Sequence, residues 1–155
     1  MSLAADLLRL ARERGAVIAT AESCTAGLIA AAITDPPGSS EIFDRGFVTY
    51  SNAAKEEMLG VSPETLAAHG AVSEEVAREM AAGALANSRA TLAVAVTGIA
   101  GPGPSEHKPE GRVCFAIADA TGARSEMQDF GPIGRDHVRR ATREHALALL
   151  IDALG

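Results

Sequence analysis

Ala16-Val17-Ile18-Ala19-Thr20-Ala21-Glu22-Ser23-Cys24-Thr25-Ala26-Gly27-Leu28-Ile29-Ala30-Ala31-Ala32-Ile33 passes from one structural habit to another. Residues 16–21 form a short apolar run of the length a buried strand takes. Helical character takes over across 25–33, until Thr34-Asp35-Pro36-Pro37-Gly38 breaks it. Such a junction is the unit from which layered α/β folds are assembled.

Working outward, residues 2–14 read as an amphipathic helix with Ser2 as its cap and Gly15 as its stop. Downstream, 43–50 suits a second strand, and Ser51 or Asn52 can cap a short helix over 53–59. Ser62-Pro63-Glu64 opens another short helix to residue 68. Ser73 opens a long Ala-rich helix to about residue 87. Residues 91–96 read as a buried strand, and a Gly- and Pro-rich loop follows over 98–111. Strands at 113–118 and 126–130 flank a turn at Thr121-Gly122, and a last helix covers 135–154. The expected architecture is one domain over residues 1–155, a three-layer α/β sandwich with a mixed sheet.

Composition narrows the function. Of 155 residues, 47% are apolar, enough for a packed core without disulfides. Aromatics are only 3%, so stacking platforms for single-stranded nucleic acid are scarce. A net charge of −6 without a basic run argues against nucleic-acid or membrane attraction. Cys24 and Cys114 offer neither zinc spacing nor a disulfide framework, and no metal or other cofactor is expected. Residues 1–20 mix charged and apolar positions, so neither a signal peptide nor a membrane span is expected, and the reading is cytoplasmic.

Four clusters carry chemistry. In the first, Glu22, Ser23 and Thr25 stand where a strand becomes a helix, either as caps or as ligand groups for an anion. Glu22 needs a partner if it is buried. Cys24 there suggests a thiol nucleophile, but no histidine is selected by spacing, and small cysteines are usually buried hydrophobes.

The second cluster joins Gly38, Ser39 and Ser40 to Tyr50 and Lys55. The glycine turn can present a hydroxyl at a loop tip. Lys55, early in a helix, faces the end of the dipole that repels its ammonium. A neutral base near pH 7.5 requires roughly 4 kcal/mol of bias against the charge, mostly from burial. By spacing alone, a surface lysine paired with Glu56 or Glu57 is the better reading. The third cluster, Thr97-Gly98-Ile99-Ala100-Gly101-Pro102-Gly103-Pro104, follows a strand and forms either a ligand wall or a plain loop. In the fourth, Arg135, Arg139 and Arg140 open the last helix against its dipole, which an anion nearby would explain.

In order, Ala21-Glu22-Ser23-Cys24-Thr25-Ala26-Gly27, Pro37-Gly38-Ser39-Ser40, Gly46-Phe47-Val48-Thr49-Tyr50-Ser51-Asn52, Lys55, His69-Gly70-Ala71-Val72-Ser73 and Thr97-Gly98-Ile99-Ala100-Gly101-Pro102 resemble the CinA C-terminal domain family. The chain looks like a stand-alone form of it. The resemblance implies an amidohydrolase that converts nicotinamide mononucleotide to nicotinic acid mononucleotide and ammonia. It matches the nucleophile to Ser40, with Tyr50 and Lys55 as proton-transfer groups. Glu22, Ser23, Thr25, Gly38, Ser39, Thr97, Gly98, Arg135 and Arg139 would bind substrate. Pro104-Ser105-Glu106-His107 departs from a more glycine-rich family stretch, and Glu110 from an apolar position.

The implied partner is a small pyridine nucleotide, with no nucleic acid or membrane involved and with room for a homo-oligomer. Two rivals stand beside this reading. One is a non-catalytic interaction module of the competence/DNA-damage type. The other is a short-chain reductase, which the missing glycine fingerprint, a Tyr-to-Lys spacing one residue too long and the chain length all disfavour.

Overall fold

The computed structural model describes residues 2–155. The expected α/β order is present: α1 (Leu3–Arg14), β1 (Ile18–Glu22), α2 (Leu28–Thr34), β2 (Phe43–Val48), α3 (Asn52–Leu59), α4 (Pro63–His69), α5 (Glu74–Ala86), β3 (Leu92–Gly98), β4 (Arg112–Asp119), β5 (Gly122–Asp129) and α6 (Arg135–Leu154). A short 3-10 turn, Ser39–Glu41, precedes β2.

The five strands form one mixed sheet in the order β2-β1-β3-β4-β5. β1 runs parallel to both β2 and β3, while β4 and β5 return antiparallel. One face carries α1, α2 and α6 over a core that includes Leu7, Ile18, Ile29, Val94, Phe115 and Leu150. The other face carries α3, α4 and α5 over Ala19, Ala21, Leu59, Val76, Met80 and Ala95. This is a three-layer sandwich. The alanines explain how it packs with few aromatics, because small side chains let helix and sheet backbones approach.

Serine caps start four helices as expected: Ser2, Ser51, Ser62 and Ser73 each accept a backbone amide of the first turn. The α2 helix begins three residues later than its periodicity implies, because residues 23–27 form a turn. The β5 strand begins at Gly122 rather than 126, pairing with β4 from a tight hairpin at Asp119. Among the described residues no helix is long and apolar enough to cross a membrane.

The β1-to-β2 connection uses one face of the sheet and the β2-to-β3 connection uses the other. The carboxyl ends of β1 and β3 therefore flank a switch point, where open α/β sheets leave a crevice.

Candidate active site

A cleft of about 470 Å³ opens at that crevice. Its lining combines Ser23 and Cys24 from just beyond β1, Tyr50, Asn52 and Lys55 from beyond β2, and Thr97–Pro104 from the end of β3. Ala71, Val72, Ser105, Glu106 and Arg135 complete it.

Lys55 is only 1% exposed. Its Nζ lies 3.0 Å from Ser23 Oγ, 3.0 Å from the Thr49 carbonyl and 3.3 Å from the Tyr50 carbonyl. Burial pushes its pKa below the ordinary lysine value, and the Glu106 carboxylate opposes the shift. Burial raises the Cys24 thiol to about 12, so at neutral pH Cys24 contributes no charge and is no nucleophile. Withdrawal from water thus dominates the environment of Lys55, and the expected surface pairing with Glu56 or Glu57 does not form.

Ser40 is not in the cleft. It is exposed, in the turn before β2, whereas Tyr50 and Lys55 come after β2. A six-residue strand puts roughly 20 Å between the two ends. Gly38 and Ser39 lie with Ser40 at the far end. The Arg12 guanidinium packs over Gly38, and Ser39 Oγ donates to the Thr34 carbonyl. Ser40, expected as the nucleophile, therefore does not meet Lys55; the hydroxyl that does is that of Ser23, which lies just beyond β1 as Lys55 lies beyond the parallel β2.

Tyr50 reaches the cleft in another role. Its carbonyl meets Lys55, while its phenol, on a side chain 58% exposed, accepts from Arg135 Nη2 at 3.0 Å. Arg135 Nη1 donates to the Gly101 carbonyl at 2.7 Å, so Tyr50 and Arg135 join across the mouth. The phenol is not placed between Ser23 and Lys55.

Two further expectations change. Glu22 is buried and faces α2 rather than the cleft. Its Oε1 accepts from Thr25 Oγ1 (2.6 Å), Gly27 N (3.2 Å) and Ile29 N (2.9 Å), and its Oε2 from Ala30 N (3.0 Å). A carboxylate at a helix amino terminus meets both free amides and a favourable dipole. Thr25 is consumed in the same network. Arg139 donates to the Cys24 and Thr25 carbonyls at 3.1 and 3.3 Å, bracing the turn from behind instead of binding ligand.

Thr97 and Gly98 are where the sequence puts them, at the end of β3 and on the cleft. Thr97 Oγ1 donates to the Ala71 carbonyl at 2.8 Å, tying the wall to the α4–α5 connection. A Cβ at Gly98 would come 2.7 Å from the Val113 side chain, so the strand end needs glycine. Glu110 Oε1 accepts from Gly103 N at 2.6 Å and steadies the loop. Asn52 and Glu106 are lining residues that the sequence reading leaves out. Asn52 could be found from its place after a capping serine, but nothing in the pattern marks Glu106. Among the described residues no group of three or more His, Cys, Asp and Glu side chains converges to hold a metal ion.

Fold and site together define a three-layer α/β protein with a buried Ser–Lys pair at the carboxyl ends of its parallel strands. The CinA C-terminal domain profile matches residues 1–154, and the chain belongs to that family. The nicotinamide-nucleotide amidohydrolase PncC of Escherichia coli K12 is 52% identical over 151 residues, covering 97% of this chain and 92% of that protein. A CinA-like protein from Chloroherpeton thalassium is 56% identical over 128 residues, which is 81% of this chain and 30% of that longer protein. The solved structure of the competence/damage inducible protein CihA from Agrobacterium tumefaciens has a TM-score of 0.88 at 51% identity, covering 96% of this chain and 95% of that one. A competence or damage-inducible protein from Enterobacter asburiae gives 0.95 at 33% identity, covering 99% and 96%.

Proposed function

We propose that this chain is an amidohydrolase that converts nicotinamide mononucleotide to nicotinic acid mononucleotide and ammonia, with Ser23 as nucleophile and Lys55 as general base. The observation that carries the mechanism is the 3.0 Å approach of Lys55 Nζ to Ser23 Oγ in a buried setting. The substrate comes from the 52% identity to a nicotinamide-nucleotide amidohydrolase over nearly the whole chain.

A neutral lysine amine has two N–H bonds and one lone pair. Here the Thr49 and Tyr50 carbonyls accept the two N–H bonds, and the lone pair is left to take the Ser23 proton. Ser23 Oγ attacks the carboxamide carbon while its proton passes to Lys55. The tetrahedral intermediate collapses as Lys55 returns that proton to the departing nitrogen, which leaves as ammonia. Water, deprotonated by Lys55, then cleaves the acyl-enzyme and regenerates both groups. The amides of Cys24 and Thr25, with no acceptor among the described residues, are the nearest oxyanion donors on the nucleophile's own turn. Arg135, Asn52, Thr97 and Gly98 line the space left for the nucleotide. Residues 1–155 act as one catalytic unit, in the cytoplasm, on a diffusible substrate.

The test is turnover. Purified protein incubated with nicotinamide mononucleotide should release ammonia and nicotinic acid mononucleotide in equal amounts. Rapid acid quench and peptide mass spectrometry should show the acyl group on the peptide containing Ser23. Absence of ammonia between pH 7 and 9.5 would overturn the activity, and acylation elsewhere would overturn the nucleophile.

A further inference from the structure

The cleft has one anionic wall. Among the described residues its basic side chains are Lys55 and Arg135, and Glu106 is the one acidic side chain lining it. The other carboxylate near the nucleophile, Glu22, is enclosed by the α2 amides and cannot meet a ligand.

Glu106 is held in an unusual way. It has φ +51° and the next residue, His107, has φ +63°, so two side-chain-bearing residues in succession occupy the left-handed region. Such conformations cost energy and persist only where the surroundings hold them. Here the backbone pairing of Ser105 with Lys108, at 3.1 and 2.8 Å, closes the turn. Glu106 Oε2 accepts from Ala71 N at 3.2 Å, and the Ala71 carbonyl accepts from Thr97 on the cleft wall. Lys108 Nζ, also beside Gly70, donates to the carbonyls of His69 and Val72 and makes no direct ion pair with it. Glu106 Oε1 takes no hydrogen bond among the described residues. The turn therefore presents a carboxylate with one free oxygen to the cleft.

We propose that Glu106 is a specificity residue that selects carboxamide nucleotides with a positively charged ring over those with a neutral one. This rests on the amidohydrolase reading above. The pyridinium of an oxidised nicotinamide nucleotide carries its positive charge in the ring that bears the carboxamide attacked by Ser23. Arg135 alone would repel such a ring. Glu106, held against Ala71 N, offsets it. The dihydropyridine of the reduced nucleotide has nearly the same shape and no ring charge, so it gains nothing from Glu106. Glu106 is exposed, so a charge pair there corresponds to about a two- to fivefold difference in binding.

The experiment compares binding rather than turnover, because the two rings differ in reactivity as well as charge. Nicotinamide mononucleotide and its 1,4-dihydro form are titrated calorimetrically into Ser23→Ala and into Ser23→Ala combined with Glu106→Gln. Glu106→Gln should weaken the cationic nucleotide about two- to fivefold and leave the neutral one unchanged. Glu106→Asp, which keeps the charge, should restore most of the preference. Equal weakening of both nucleotides would make Glu106 a loop brace and overturn the proposal, as would no change in either. Turnover by the wild-type protein, measured alongside, separates failures: ammonia release with an unmoved preference sinks only the role of Glu106. Failure of the wild-type protein to release ammonia, with no nucleotide bound by Ser23→Ala, overturns both readings.

Discussion

The two ends of the sheet carry similar sequence and opposite chemistry. At the carboxyl end, Glu22-Ser23-Cys24-Thr25-Ala26-Gly27 leads from β1 into α2. At the amino end, Pro37-Gly38-Ser39-Ser40 leads into β2. Both place small hydroxyls beside a left-handed glycine, with Gly27 at φ +103° and Gly38 at φ +91°. Only at the carboxyl end does a buried lysine meet the hydroxyl. At the amino end the charged partners are Arg12 and Glu41, joined at 3.1 and 3.3 Å in the open. A glycine–serine turn presents a hydroxyl in either place, but reactivity requires a base that is both adjacent and desolvated.

The sharpest way to break that contrast is to remove each serine in turn. Ser23→Ala should lower kcat/KM for nicotinamide mononucleotide by about a thousandfold or more, as loss of a nucleophile does. Ser40→Ala should stay within about twofold of wild type, in keeping with an exposed residue outside the cleft. The reverse result would return the nucleophile to the amino end. Next in size is Lys55→Met, which should cost about a hundred- to ten-thousandfold. In the proposed mechanism the active lysine is the neutral one, so wild-type kcat/KM should rise with pH as Lys55 loses its proton. Burial lowers its pKa, so the limb should be centred below the ordinary value of about 10.4. The Met variant should lack this limb. A limb at or above the ordinary value would show that Lys55 is not withdrawn from water.

A third effect concerns stability at the carboxyl end. Glu22→Gln keeps the shape of the side chain but turns an amino group toward amides that need an acceptor. It should destabilise the fold by about 2–3 kcal/mol, read as a fall in the denaturant midpoint with an unchanged slope. It should also lower kcat more than it raises KM, because Ser23 is carried on the turn that Glu22 fastens. A loss of less than about 0.5 kcal/mol would mean that the α2 terminus does not depend on this carboxylate.

How far the sequence foretells all this differs from residue to residue. Helix starts are legible at Ser2, Ser51, Ser62 and Ser73 because capping is local, and one side chain three residues away from an amide suffices. The placing of Thr97 and Gly98 at a strand end is legible for the same reason. The separation of Ser40 from Lys55 is legible locally as well. A strand recognised at 43–50 already separates Ser40 from Lys55, and an extended chain cannot bring residues on either side of it to one end. Ser23 and Lys55 each come after a strand, and parallel pairing of those strands brings their carboxyl-end segments together. That step needs the strand pairing, which periodicity does not supply. Glu22 misleads because its partners are backbone amides, which look alike in every sequence. Glu106 is hidden because its placement depends on backbone angles at 106 and 107 that side-chain pattern does not encode.

The smallest expected effect lies at the amino end, where it tests the contrast from its quiet side. Arg12 and Glu41 make a two-contact ion pair that on paper resembles the anchoring of Glu22. Their side chains are 43% and 64% exposed, however, so water solvates both charges and salt screens them. Exposed pairs are worth about 0–1 kcal/mol, because the attraction hardly exceeds the entropy lost in holding two long side chains. Glu41→Gln should therefore shift stability by less than about 1 kcal/mol, with the difference fading further in about 0.5 M salt, and should leave turnover unchanged. A loss comparable to that of Glu22→Gln would mean that the amino-end turn is clamped as firmly as the carboxyl-end one. Burial would then not be what separates the two ends.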